Sequence, residues 1–219
     1  MNIQYYGDYC FKITVKPGGR ATDDIVIWTD PYDKSLGLRS PMGQADVLMF
    51  SHANGVDFDA SGLKGERVTL SNPGEFAVKG INVIGIPSFQ DSVSGAERGT
   101  NTIFVFQVES LSLCFLGALG HELTPAQIEK IASVDILFLP IGEHDALTIK
   151  KLEEVVRKIE PLCIIPMHYK TEGMNTLMED EKIFCNEFGN CPTERLAKYT
   201  LKKKDLEGKS MEIVMMERS

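Results

Sequence analysis

The sequence predicts a mixed α+β (α/β) fold built as one domain over residues 1–219. Three observations carry that expectation. As far as residue 115 the chain breaks into short runs rich in β-branched and aromatic residues, separated by Gly, Pro, Asn and Asp. Beyond residue 120 the apolar spacing lengthens to that of helices, and helical stretches alternate with unbroken apolar runs. A chain of 219 residues buries roughly 70% of the surface its unfolded form exposes, and no repeat or linker interrupts it, so a second domain is not required.

The predicted strands are Ile3–Tyr5, Phe11–Val15, Ile25–Thr29, Val47–Phe50, Val68–Leu70, Phe76–Val78 and Ile81–Ile86, followed by Thr102–Val108 and Leu111–Phe115. Turn chemistry separates them. Pro17-Gly18-Gly19 closes a first hairpin, Asn72-Pro73-Gly74 and Lys79-Gly80 supply further turns, and Glu109-Ser110 joins the last pair. Read in order, these strands form a meander. Thr124-Pro125-Ala126-Gln127 then has the form of a capping box, with a hydroxyl at the N-cap, proline at the first helical position and an amide at the third. The helix it starts turns Ile128, Ile131 and Ala132 inward and precedes a buried strand, Ile136–Leu139. From Thr148, the residues Ile149, Leu152, Val155, Val156 and Ile159 recur at helical spacing until Pro161 ends the element, and the strand Cys163–Ile165 follows. A helix around Glu179–Phe188 and a strand Met211–Met216 complete the chain.

Composition narrows the function classes. Twenty-three basic against 31 acidic residues give a net charge of −8, which opposes a surface built to neutralise nucleic-acid phosphates. The basic run Lys202-Lys203-Lys204 reads as a solvated turn or an edge-strand guard. Five cysteines, an odd number without a C-x-x-C pair, indicate neither a disulfide framework nor a zinc ribbon, so reduced, buried thiols are expected. The sequence starts without a basic, then apolar, leader pattern, and no apolar run approaches the ~18 residues of a membrane span. A cytoplasmic protein with no membrane association is the expectation.

Four strands end in polar residues able to converge. These are Asp30-Pro31, the segment Ser51-His52-Ala53-Asn54-Gly55-Val56-Asp57, Gln90-Asp91, and Met167-His168-Tyr169. Strand ends are where such folds collect ligands. Their order resembles the metallo-β-lactamase superfamily, and within it the branch of L-ascorbate-6-phosphate lactonase. Tyr6-Gly7-Asp8-Tyr9-Cys10-Phe11 stands where that branch has a Gly-His-x-x-Phe opening, and Thr29-Asp30-Pro31-Tyr32 matches its Asp-Pro turn. The strand Asp46–His52, the segment Gly117-Ala118-Leu119-Gly120-His121, and the stretches Leu139-Pro140-Ile141-Gly142 and Ile165-Pro166-Met167-His168-Tyr169 match later signatures. The resemblance runs colinearly over about residues 1–170 and implies a four-layer αββα sandwich.

That family's active form holds two zinc ions about 3.5–4 Å apart, with a metal-bound hydroxide as nucleophile. Carried onto this sequence, its ligand positions fall on His52, Asn54, Val56, Asp57, Gln90, Ala118 and His168. Only His52 and His168 keep the ligand type. Two divalent ions at that spacing repel by on the order of 20 kcal/mol at an effective dielectric of about 20. Ala118, in place of the bridging aspartate, offsets none of this, while Asn54 and Gln90 offer neutral amide oxygens that suit zinc poorly. The resemblance therefore implies a degraded dinuclear site, with a single divalent ion (Zn, Fe or Mn) on His52, Asp57 and His168 as the alternative to no metal. Asn54, Gln90, Asp91 and His144 are the candidate cleft or ligand residues, and no catalytic residue is assigned. Arg98 is a candidate substrate contact, while His121 and Asp30 read as structural. The expected function is non-hydrolytic binding or regulation, through a small-molecule ligand, a protein partner or self-assembly. The competing expectation is a single-metal hydrolase of a lactone, phosphoester or thioester.

Overall fold

The computed structural model describes residues 1–16, 23–52, 58–142, 147–176, 178–189 and 191–219. Its strands are β1 (Asn2–Gly7), β2 (Cys10–Val15), β3 (Ile25–Thr29), β4 (Gly43–Gln44), β5 (Val47–Met49), β6 (Leu63–Lys64), β7 (Val68–Leu70), β8 (Gly74–Val78), β9 (Ile81–Phe89), β10 (Thr100–Val108) and β11 (Leu111–Phe115). Helix α1 (Pro125–Ile131), β12 (Ile136–Pro140), helix α2 (Ile149–Ile159), β13 (Cys163–Met167), helix α3 (Glu181–Phe188), β14 (Tyr199–Thr200) and β15 (Glu212–Ile213) follow.

Two sheets stack face to face. One has the order β14-β1-β2-β3-β5-β7 and the other β15-β13-β12-β11-β10-β9-β8. Alternation explains their contact: β1 buries Ile3 and Tyr5, and β2 buries Phe11, Ile13 and Val15, so that one face of each strand joins the core. Phe11 meets Phe138 of the second sheet with ring centroids 4.7 Å apart. β12 and β13 are buried along their whole length, as their unbroken apolar sequences require.

The hairpins form where turn residues predict them. Lys79 and Gly80 both take positive φ between β8 and β9, as do Glu109 and Ser110 between β10 and β11. The Pro17-Gly18-Gly19 turn lies outside the described residues, although β2 and β3 pair antiparallel. The meander expectation holds for β8–β11, whose successive strands pair antiparallel, but fails from β3 to β7, because β3 pairs parallel with β5 and β5 parallel with β7. The long excursions between these strands let each return in the same direction.

The capping box is present in full. Gln127 N–H donates to Thr124 Oγ1 at 3.3 Å, Thr124 N–H donates to Gln127 Oε1 at 2.9 Å, and Gln127 Nε2 also reaches the Pro87 carbonyl at 2.8 Å. In α2 the five predicted apolar residues are the buried ones. Eleven residues are marginal for an isolated helix, so this burial, at roughly 1.5–3 kcal/mol per large side chain, holds it. The α1, α2 and α3 residues Ile131, Leu152 and Phe184 all join the main core. On the outer face of the six-stranded sheet a second core forms around Trp28 and Tyr32. Among the described residues it is covered by a 3₁₀ turn at Lys34–Leu36 and by the small β4–β6 sheet. The outer layer there is built from these pieces.

The C-terminal region departs from expectation in three places. The last helix starts at Glu181, capped by Asp180, whose carboxylate accepts from Lys182 N–H. The last strand shortens to Glu212–Ile213: Met211 has positive φ and stays outside the ladder, and at the other end Met216 bridges Leu196 instead. Cys185 and Cys191 form a disulfide, which corrects the all-thiol expectation. Gly189 turns the chain in the left-handed conformation at the end of α3, bringing the two Cα atoms to 5.3 Å. Cys10, Cys114 and Cys163 are buried free thiols, and burial pushes the Cys163 thiol up to about 12. Lys203 of the basic run pairs with Asp135 at 2.5 Å, a structural use of one lysine. Among the described residues, no helix is long and apolar enough to cross a membrane.

Candidate functional site

The convergence predicted from strand ends takes place at one end of the sandwich. The β1–β2 turn delivers Asp8 and Tyr9, the end of β3 delivers Asp30, the segment after β5 delivers Ser51 and His52, and the end of β13 delivers His168. All six are buried. Asp8, Asp30 and His168 have positive φ, so each strand turns sharply as its polar residue is presented. Two glycines allow the close packing: a Cβ on Gly142 would stand 2.0 Å from the His168 carbonyl oxygen, and one on Gly117 would stand 2.4 Å from Ser51 Cβ.

Two histidine networks result. In the first, Ser51 N–H and Oγ–H reach the two oxygens of Asp30 at 2.7 and 2.6 Å, and Ser51 Oγ lies 2.8 Å from His52 Nδ1. Burial pushes the Asp30 carboxyl up to about 8, against the lowering effect of its Ser51 hydrogen bonds. In the second, His168 Nδ1 lies 2.5 Å from Asp8 Oδ1, and the His168 backbone N–H donates to the Asp8 carbonyl at 2.8 Å. Each imidazole is thus held through Nδ1 by a carboxyl group, directly or through a hydroxyl, the arrangement that fixes ring orientation in histidine sites.

Tyr9 links the two networks. Its ring, 2% exposed, stacks on His168 with centroids 4.0 Å apart and planes 14° apart, and meets His52 edge-on at 5.0 Å. In the sequence Tyr9 is one more aromatic at a strand turn, although the adjacent Asp8, standing in place of the histidine of the resembled opening motif, signals a change there.

The remaining candidates divide. Gln90 is buried, and its amide Nε2 donates to the carbonyls of Arg98 at 2.9 Å and Thr100 at 3.1 Å, so it ties the following loop together. Asp91 accepts four backbone N–H bonds within that loop, from Val93, Gly95, Glu97 and Arg98. Desolvation raises its pKa, but the four bonds outweigh this and hold the carboxyl below the usual carboxylate range. Arg98 contributes the last of those N–H groups. His121 Nδ1 lies 2.8 Å from the Glu122 carbonyl, a local contact. Ala118, in the bridging-aspartate position, is buried with its N–H donated to Asn101 Oδ1 at 3.0 Å. Asn54, Asp57 and His144 lie outside the described residues.

Beside His52 opens a cleft of about 720 Å³. The ends of β5 and β9, the start of β10 and the turn from Ser71 to Pro73 surround it. His52 lines it, whereas His168, Gln90 and Asp91 are not among its described lining residues.

Whether these residues suit the zinc pair that the fold implies is a question of donors. Among the described residues, no group of three or more His, Cys, Asp or Glu side chains is placed to hold a metal ion. His52 and His168 both contact the Tyr9 ring, which adds no imidazole, thiolate or carboxylate to the set. The described residues do not fit a dinuclear centre.

Two facing sheets, helices against the second sheet, and polar strand ends gathered at one edge define the metallo-β-lactamase type of fold. The chain belongs to the β-lactamase superfamily: the superfamily domain matches residues 2–168. It is 23% identical over 167 residues to a UPF0173 metal-dependent hydrolase of Pyrococcus abyssi, spanning 73% of this chain and 72% of that protein. A further UPF0173 metal-dependent hydrolase, from Staphylothermus marinus, is 27% identical over 164 residues, 75% of this chain and 63% of that one. Among solved structures, a Thermotoga maritima protein described as a Zn-dependent hydrolase of the metallo-β-lactamase superfamily shares 28% identity. It superposes with a TM-score of 0.73, covering 98% of this chain and 97% of its own. A Veillonella parvula protein described as a possible metal-dependent hydrolase, at 13% identity and a TM-score of 0.66, shares the fold, covering 92% of this chain and 99% of its own.

Proposed function

We propose that this chain is a binding member of the metallo-β-lactamase fold, holding a small molecule in the cleft beside His52 without dinuclear-zinc hydrolysis. The observation that carries this reading is the Tyr9 ring in contact with both surviving ligand-type histidines. Hydrolysis in this fold needs a metal-bound hydroxide, and Ala118 and the loop-committed Gln90 leave two of the implied positions without a suitable donor. The test is elemental analysis of protein purified without added metal or chelator, joined to turnover assays on lactone, phosphoester and thioester substrates. The reading expects no stoichiometric metal and no turnover.

A second reading, a hydrolase using one divalent ion, draws on a specific observation. His168 Nδ1 is tied directly to the Asp8 carboxyl group, and His52 Nδ1 to Ser51 Oγ, which in turn bonds Asp30, as metal-ligating histidines are oriented. Such an ion would take His52, His168 and Asp57. Relatives named metal-dependent hydrolases also favour it. One metal per chain, lost in His52→Ala and in His168→Ala together with turnover, would replace the first reading with this one.

A further inference from the structure

We infer that the cleft beside His52 takes a planar aromatic or heteroaromatic molecule that carries no anionic group. This rests on the reading that the cleft binds its ligand without a metal. Four ring contacts run in series at this end of the fold: Phe50 to Phe58 at 5.1 Å, Phe58 to His52 at 5.1 Å, His52 to Tyr9 at 5.0 Å and Tyr9 to His168 at 4.0 Å. Phe50, Phe58 and His52 belong to the cleft wall, and Phe89, Pro73 and Pro87 add further apolar lining. Aromatic pairs favour tilted or offset contact at these separations, so a flat ring entering the cleft extends a series already built.

The polar groups of the cleft divide by availability. Asn101 Nδ2 donates to Ser88 Oγ at 2.7 Å, and Ser88 Oγ donates to the Asn101 carbonyl at 3.1 Å, so both act as wall. Ser71, Asn72 and Thr100 are exposed at the mouth, where they can bond the polar edge of a ligand whose flat face lies inside. Charge opposes an anion there. The chain carries −8, and no lysine or arginine is among the described lining residues. About 720 Å³ is within the range of small-molecule sites.

The test is calorimetric titration of the full chain with 2-naphthol, uncharged at neutral pH, and with 2-naphthoate, its anionic counterpart, each with and without EDTA. Phe58→Ala and Ser71→Trp are measured alongside. Saturable 2-naphthol binding is expected, about tenfold or more tighter than 2-naphthoate. Phe58→Ala should weaken it about tenfold, the loss of one aromatic wall. Ser71→Trp, an exposed rim substitution that leaves the core alone, should block the mouth and abolish it. Absence of 2-naphthol binding, equal or tighter 2-naphthoate binding, or indifference to both variants overturns the assignment of ligand class. Binding that EDTA abolishes overturns the metal-free reading and leaves the ligand class standing.

Discussion

Replacing Tyr9 by alanine removes the ring that presses on both histidines. Tyr9 is 2% exposed, stacked at 4.0 Å on His168 and edge-on to His52 at 5.0 Å, so its ring is almost wholly surrounded. Buried aromatic-to-alanine changes cost about 3–5 kcal/mol when the cavity stays empty. Here the new space borders two imidazoles and water can enter it, which places the loss near the lower end, about 3 kcal/mol. Urea denaturation gives this value directly. The same titration repeated with zinc tests whether the ring bars a metal. The wild-type midpoint should not move, whereas Tyr9→Ala opens the space between two imidazoles already oriented by Asp8 and Ser51. Zinc at a hundredfold excess over its dissociation constant would then restore about 2.7 kcal/mol to the variant. A loss below about 1 kcal/mol would show that the ring is not an embedded packing element, and a wild-type midpoint that rises with zinc would refute its role in excluding metal.

Asp91→Asn should destabilise the loop after β9, because four N–H bonds to a carboxylate become bonds to a weaker, partly donating amide. The folded carboxyl titrates below the unfolded one, so as pH falls the unfolded chain takes up its proton first. The stabilisation is therefore complete above the unfolded value of about 3.9 and is lost as pH falls through the lower folded value. The thermal midpoints of wild type and Asp91→Asn should converge on acidification, and a gap independent of pH would contradict the ion's role. Thr124→Ala breaks the capping box of α1 and should cost about 1 kcal/mol by chemical denaturation; an unchanged midpoint would mean that the Gln127 bond to Pro87 holds the helix start unaided. Thiol titration of the denatured, unreduced chain should count the three free cysteines and two more after reduction. Opening so short a loop should cost about 2 kcal/mol, and five thiols before reduction would show that the bridge is absent.

Local sequence determined most of the elements. The Thr124–Gln127 box, the apolar stripe of α2, the turns at Lys79-Gly80 and Glu109-Ser110, and the unbroken runs of β12 and β13 are each decided by neighbours within a turn or a strand. The gathering of Asp30, His52 and His168 at one edge was legible as well, because each follows a strand and strand ends share an edge. What neighbouring residues cannot encode is contact between segments far apart in the chain. The parallel return of β5 to β3, the disulfide across the end of α3, and the commitment of Gln90 to its own loop emerge only when the chain closes on itself. Tyr9 is the sharpest case. Read along β1 and β2 it is another aromatic in a strand-rich segment, and only the packing of β13 against that turn sets its ring on His168, 159 residues later in the chain. Its significance depends on what occupies the space between two histidines, and that is a property of the tertiary structure.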